Sequence, residues 1–191
     1  MKKPFAWFVL VFVLAMLTPG VAFAAKKAEA AATDKGVALS HLETGNMYGK
    51  QGNFDAAISA YEKAIAADPA TLFAYSNIGY VYEEKGDESK AIVYFEKATK
   101  IAPQDAIAWY DLGAAYMKNK DSKKAIECYE RSFKLDPNVY KSCMGLALAY
   151  EDQRQLDKAS EYFVKAMSLT EDKEIKDAIM RQVSRATPEK A

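Results

Sequence analysis

The chain has 191 residues, with one histidine, two cysteines, two tryptophans and no net charge. A lone His41 cannot supply the paired imidazoles of an H-E-x-x-H zinc site. Neither Cys128 nor Cys143 stands in a C-x-x-C-H sequence, so covalent attachment of a c-type haem is excluded. No G-x-S-x-G nucleophile turn and no phosphate-cradling glycine loop is present. The 26 basic and 26 acidic residues leave no basic footprint for nucleic acid. Paired acids such as Glu83-Glu84 and Glu151-Asp152 are adjacent, so on a helix they point about 100° apart. They read as solvated surface. The expectation is a non-enzyme with no metal and no cofactor.

Only one long apolar run exists, and it lies at the start. Lys2 and Lys3 precede an apolar stretch from Phe5 to Leu17, followed by Pro19-Gly20 and then Ala22-Phe23-Ala24. This is the layout of a secretory signal peptide with an A-x-A cleavage site, giving residues 1–24 as leader and Ala25 as the expected mature start. The run would span about 20 Å as a helix, short of a hydrocarbon core of roughly 30 Å. An uncleaved anchor from Phe5 to Ala25 is the alternative. Either way the rest of the chain is expected outside the cytoplasmic membrane: periplasmic or secreted if cleaved, inner-membrane anchored and facing the periplasm if not. Loss of Lys2 and Lys3 leaves 24 basic and 26 acidic residues. Residues 25–37 are rich in alanine and lysine and read as a flexible linker.

Beyond residue 37 the sequence repeats itself every 34 residues. Tyr48, Tyr82, Tyr116 and Tyr150 are in register, as are Gly45, Gly79, Gly113 and Ala147. Nine residues past each tyrosine stand Ala57, Ala91, Ala125 and Ala159, and four further on Tyr61, Phe95, Tyr129 and Phe163. Then come the small residues Ala64, Ala98, Ser132 and Ala166, and then Pro69, Pro103 and Pro137, with Glu171 breaking the series. Four copies follow, at 38–71, 72–105, 106–139 and 140–173. Within "AWYDLGAAY" the spacing of Trp109, Leu112, Gly113 and Tyr116 marks one face of a helix. A mid-helix glycine costs roughly 1 kcal/mol relative to alanine. Gly113 therefore predicts a close helix–helix contact that only a small residue allows.

The pattern resembles the tetratricopeptide repeat, whose signature runs W-x2-L-G-x2-Y, A-x3-F, P over 34 residues. The third copy matches best, while His41, Tyr75 and Cys143 replace the tryptophan elsewhere. The resemblance implies an all-α, right-handed α-solenoid of four helix-turn-helix units. Asn53, Asp87 and Asp121 are suited to cap the second helices. Gly52 and Gly86 suit a turn of positive φ, and Lys120 and Arg154 at the same place predict slight strain. Ile175, Ala178, Ile179 and Val183 at helical spacing predict a capping helix within 174–191, with the last five residues fraying. An oxidising compartment permits a disulfide between Cys128 and Cys143. The inward place of Cys143 equally fits a buried free thiol.

In tetratricopeptide proteins the first helices line a concave groove, which by resemblance places positions 2, 5, 9 and 12 of each copy inside it. These are Leu39, Leu42, Asn46 and Gly49; Phe73, Ser76, Tyr80 and Glu83; Ile107, Tyr110, Ala114 and Met117; Lys141, Met144, Leu148 and Glu151. The candidate binding residues are Phe73, Tyr80, Glu83, Tyr110, Met117, Met144, Leu148 and Glu151. An aromatic and methionine stripe suits a peptide or helix laid in the groove. Some family members clamp the C-terminal carboxylate of heat-shock chaperones with two asparagines and several basic residues. Asn46 and Asn77 are present here, but Leu42, Ile107 and Asp111 stand where bases belong. The implied partner is therefore a protein or peptide with apolar anchors and some positive charge. The implied role is an interaction scaffold in a cell-envelope complex. Alternatives are self-association into homo-oligomers, and an anchored accessory subunit of an enzyme or respiratory complex.

Overall fold

The computed structural model describes residues 19–186. Among them the chain is helical throughout: α1 (Pro19–Lys50), α2 (Phe54–Ala67), α3 (Leu72–Glu84), α4 (Glu88–Ile101), α5 (Ala106–Lys118), α6 (Ser122–Leu135), α7 (Tyr140–Asp152), α8 (Leu156–Ser168) and α9 (Lys173–Ala186). The leader's apolar run lies outside the described residues, as do the last five. No helix among those described is long and apolar enough to cross a membrane.

Residues 25–37 correct the expectation of a flexible linker, because α1 runs through them without a break into the first repeat. Alanine, lysine and glutamate are strong helix formers, and nothing in the stretch supplies a stop until Gly36, which the helix passes. The Gly36 and Val37 side of the helix is exposed, and burial begins at Ala38.

Each repeat is an antiparallel helix pair joined by a turn with one left-handed residue: Gly52, Gly86, Lys120 and Arg154, at φ 73°, 72°, 61° and 59°. Lys120 and Arg154 thus carry a conformation that side chains disfavour. Asn53, Asp87 and Asp121 accept hydrogen bonds from the backbone N–H of Ala56, Lys90 and Lys124, capping α2, α4 and α6. Asp105 caps α5 through Ala108 at 2.8 Å. Asp172 accepts from the N–H of Glu174 and Ile175 at the start of α9.

The glycines face aromatic rings. A methyl group on Gly79 would lie 2.8 Å from the Phe95 ring, and one on Gly113 would lie 2.7 Å from the Tyr129 ring. Gly45 meets the Tyr61 ring in the same way. The small residue therefore admits the second helix's aromatic side chain. In the third repeat the Tyr129 ring is enclosed from both sides, since Gly145 of the next repeat also touches it. In the fourth, Ala147 and Phe163 occupy the corresponding places, both fully buried.

Junctions between repeats exchange volume. Trp109 packs where its neighbours Thr99 and Cys128 are small, and its indole N–H donates to the Pro103 carbonyl at 3.0 Å. One repeat on, the small Cys143 is matched by Phe133 and Tyr162, which meet edge to face at 6.3 Å. Cys128 and Cys143 are both buried free thiols, and burial pushes the Cys128 thiol up to about 12. At the same junction Ser132 and Ser142 replace the Ala98–Ala108 pair of the preceding one. Their hydroxyls lie 2.7 Å apart, and Ser132 also donates to the Ala106 carbonyl.

Helix α9 packs on α8 and covers the last repeat. Ile179 is buried and Ile175 and Val183 half-buried, whereas Ala178, expected on the same face, is exposed.

Two stability measurements test this packing. Gly113→Leu should cost more than Gly52→Ala in a urea titration, because overpacking against the Tyr129 ring costs about 1–3 kcal/mol and strain at positive φ about 1 kcal/mol. In a double-mutant cycle, Ser132→Ala and Ser142→Ala should each destabilise by roughly 1 kcal/mol, while the double variant should lose less than their sum, since no polar group is then left unpaired.

Candidate functional site

First helices contact both their own second helices and the first helices of adjacent repeats: α1 meets α3, α3 meets α5 and α5 meets α7. No comparable contact joins successive second helices among the described residues. Rods that converge on one side and splay on the other make a curved array whose inner wall is α1, α3, α5 and α7.

That wall carries a row of exposed apolar side chains. Leu39, Phe73 and Ile107, one per repeat, are 57%, 66% and 64% exposed. Tyr80 and Leu148 continue the exposed surface deeper along α3 and α7. The other candidates divide. Tyr110 is half-buried against Tyr129, with ring centroids 5.6 Å apart, so it serves the core as well as the surface. Met117 and Met144 are half-buried on the same core. Glu83 is largely covered by Lys118, whose ammonium reaches it at 2.7 Å between α5 and α3. Glu151 is half-buried. Leu42 and Ser76, expected to face the groove, are buried.

Asn46 and Asn77 are tied together. The Asn46 Oδ1 accepts from the Tyr61 hydroxyl and from the Asn77 amide, both at 2.8 Å. They flank a cleft of about 300 Å³ bordered by Gly49, Tyr80 and Glu84.

Asp111 is the residue whose importance spacing does not reveal. It belongs to the first-helix wall yet is only 6% exposed. Tyr80 of α3 lies beside its carboxyl. Burial pushes that carboxyl up to about 6, Glu83 and Asp105 add to the rise, and the Tyr80 hydroxyl and Lys141 oppose it. Burial likewise raises Tyr80 and Tyr110. The sequence signal was a charged residue at a place held by Asn77 and Gly145 in the adjoining repeats.

Between a first helix and the second helices beside it, carboxylates and tyrosines are combined differently. The Tyr116 hydroxyl donates to Glu96 at 2.7 Å, and the Lys124 ammonium sits 5.1 Å from the ring centroid. One repeat on, Tyr150 donates to Glu130 at 2.9 Å, with Lys158 4.9 Å from its ring.

A curved array of helix pairs with an open, partly apolar inner wall defines a helical-repeat binding protein. Models of the tetratricopeptide repeat match residues 106–139, 74–105 and 140–173, and a TPR repeat model matches 45–86. The chain belongs to the tetratricopeptide repeat family, as a right-handed solenoid. Among solved structures it is similar to MamA, at 25% identity and a TM-score of 0.64 over 79% of this chain and 90% of that one. It is also similar to the first TPR domain of Spaghetti (RPAP3) bound to the HSP90 peptide SRMEEVD. There the identity is 28% and the TM-score 0.59, over 62% of this chain and 94% of that one. YrrB, described as a TPR protein with an unusual peptide-binding site, shares the fold at 20% identity and a TM-score of 0.62, over 80% and 88% of the two chains. No curated protein matches the chain by sequence.

Asp111 makes stability depend on pH. Its folded value, about 6, exceeds its ordinary 3.8, so the folded state holds more protons between those values. This contribution to stability therefore rises as pH falls from 7 towards 4. Between pH 7 and pH 5 the wild type should gain on the order of 1 kcal/mol relative to Asp111→Asn. Urea titrations of both proteins at both pH values give the difference.

Proposed function

We propose that this protein is a non-catalytic scaffold of the cell envelope that lays an extended or helical segment of a partner protein along its concave groove. The observation that carries the reading is the row Leu39, Phe73 and Ile107. These are large apolar side chains exposed, among the described residues, at one position of three successive repeats. Fully burying such a side chain contributes about 1.5–3 kcal/mol, so three of them in register supply a binding strip. The RPAP3 domain in complex with a peptide supports a peptide as the occupant. Its peptide ends in acidic residues, which here would meet Glu83, Glu84 and Asp111; a partner with positive charge suits this groove better. The leader-like start at residues 1–24 supports export, and with it a partner in the envelope.

Photo-crosslinking tests the surface directly. With p-benzoylphenylalanine at position 73 or 107, cells that express the protein natively should yield one dominant crosslinked envelope protein. The same probe at Val93 or Val164, exposed on second helices, should not yield it. Combining Phe73→Ala with Ile107→Ala should weaken capture at least tenfold, with little change in stability. Equal crosslinking from both sets of positions would mean that the groove is not the working surface.

A further inference from the structure

Successive second helices splay apart on the outer side of the array, and the gaps between them are filled differently. Between α6 and α8 the chain fills the gap itself. Phe133 and Tyr162 meet there edge to face at 6.3 Å, and the Lys165 ammonium lies 4.2 Å from the Phe133 centroid. Between α2 and α4 the repeat puts Ile65 and Tyr94 at the same two places, beside a cleft of about 470 Å³, with Lys97 4.4 Å from the Tyr94 centroid. Between α4 and α6 those places hold only Thr99 and Cys128, while Arg131 stands in register with Lys97 and Lys165. A larger cleft, of about 660 Å³, opens there, walled by Trp109 and lined also by Leu112, Thr99 and Cys128. Among the described residues Arg131 lies over no ring and forms no ion pair. We propose that this gap is a second binding site, on the side opposite the groove, completed by a phenylalanine or tyrosine side chain of a partner protein seated beside Trp109 and under Arg131.

The neighbouring gap is the template for that occupant. Phe133 stands where Thr99 stands here, so the group that is missing has the size and shape of a ring. Trp109 is half-buried, and its indole offers the incoming ring an aromatic wall, where stacked or edge-to-face contact adds to the area buried. A cation over the ring recurs in both flanking gaps, and Arg131 is the residue placed to supply it here. Charge around the cleft is balanced. Lys100 and Lys124 line it opposite Glu96, which already accepts from the Tyr116 hydroxyl, and Glu127. A charged anchor therefore gains no net attraction, and a neutral ring is selected by shape. The lysines' aliphatic stems extend the apolar surface while their ammonium groups stay in water. With the groove on the inner wall and this cleft on the outer side, one molecule can hold two partners at once.

The test uses the full chain in mild detergent, with Trp7→Phe so that Trp109 is its one tryptophan. A phage library of random peptides is selected on this protein and on the same protein carrying Phe73→Ala and Ile107→Ala, which removes groove binders. Peptides that bind both should share a phenylalanine or tyrosine. The best of them is synthesised with that residue or with alanine in its place. The aromatic form should bind at least tenfold more tightly. It should also shift Trp109 emission to shorter wavelength, because the ring displaces water beside the indole. Arg131→Gln should weaken the aromatic form roughly threefold and leave the alanine form unchanged. Thr99→Phe, which fills the cleft from within, should abolish binding of the aromatic form. If Thr99→Phe does not fold, the emission shift and Arg131→Gln decide. Equal affinity of the two peptides, binding with no change in Trp109 emission, or no peptide common to both selections would overturn the site. None of these outcomes bears on the groove, which fails instead if every selected peptide survives Phe73→Ala with Ile107→Ala.

Discussion

Every repeat depends on one contact: the aromatic ring of the second helix seated where the first helix has no side chain, or only a methyl group. Tyr61 on Gly45, Phe95 on Gly79 and Tyr129 on Gly113 set the separation of the two helices. A glycine in mid-helix is unfavourable alone. It persists because the ring buries a large apolar surface in the space it leaves. Bulk at that place would push the pair apart, and the error would accumulate along the array, because each repeat is aligned only by its neighbours.

Those spacings also shape the groove. With the second helices held against the first, the first helices of successive repeats come into contact and form the inner wall. The apolar side chains of that wall then have two fates. Tyr110, Met117 and Met144 bend back onto the core. Leu39, Phe73 and Ile107 stay exposed among the described residues. Asp111 is drawn inward on the same wall, and its raised protonation range follows from the burial that the neighbouring α3 and α7 impose.

Departures from the repeat pattern are paired. The loss of tryptophan at Cys143 coincides with the gain of Phe133 and Tyr162, and Ser132 arrives with Ser142. Dense interiors explain the pairing, since a change of volume or polarity on one side of a junction requires an answer on the other. Read singly, Cys143 and Ser132 look like defects of the repeat. Their partners stand 10 to 20 residues away and become visible only when the helices are stacked.

The chain's 34-residue period determined the helix pairs, the turns, the caps at Asn53, Asp87 and Asp121 and the positive φ at Lys120 and Arg154. All of these are local, set by a residue and neighbours within one or two turns of helix. Alanine-rich local chemistry also continues α1 through residues 25–37, where composition alone suggests a flexible linker. Which face of a first helix remains in water was settled by the tertiary structure. Helical spacing places Leu42, Ser76 and Phe73 on one side, but only the approach of adjacent repeats buries the first two and leaves the third exposed. Asp111 was legible as a charge in an unexpected place. Its burial depends on the helices packed around α5, because solvent access and electrostatic environment belong to the assembled wall and not to any single helix.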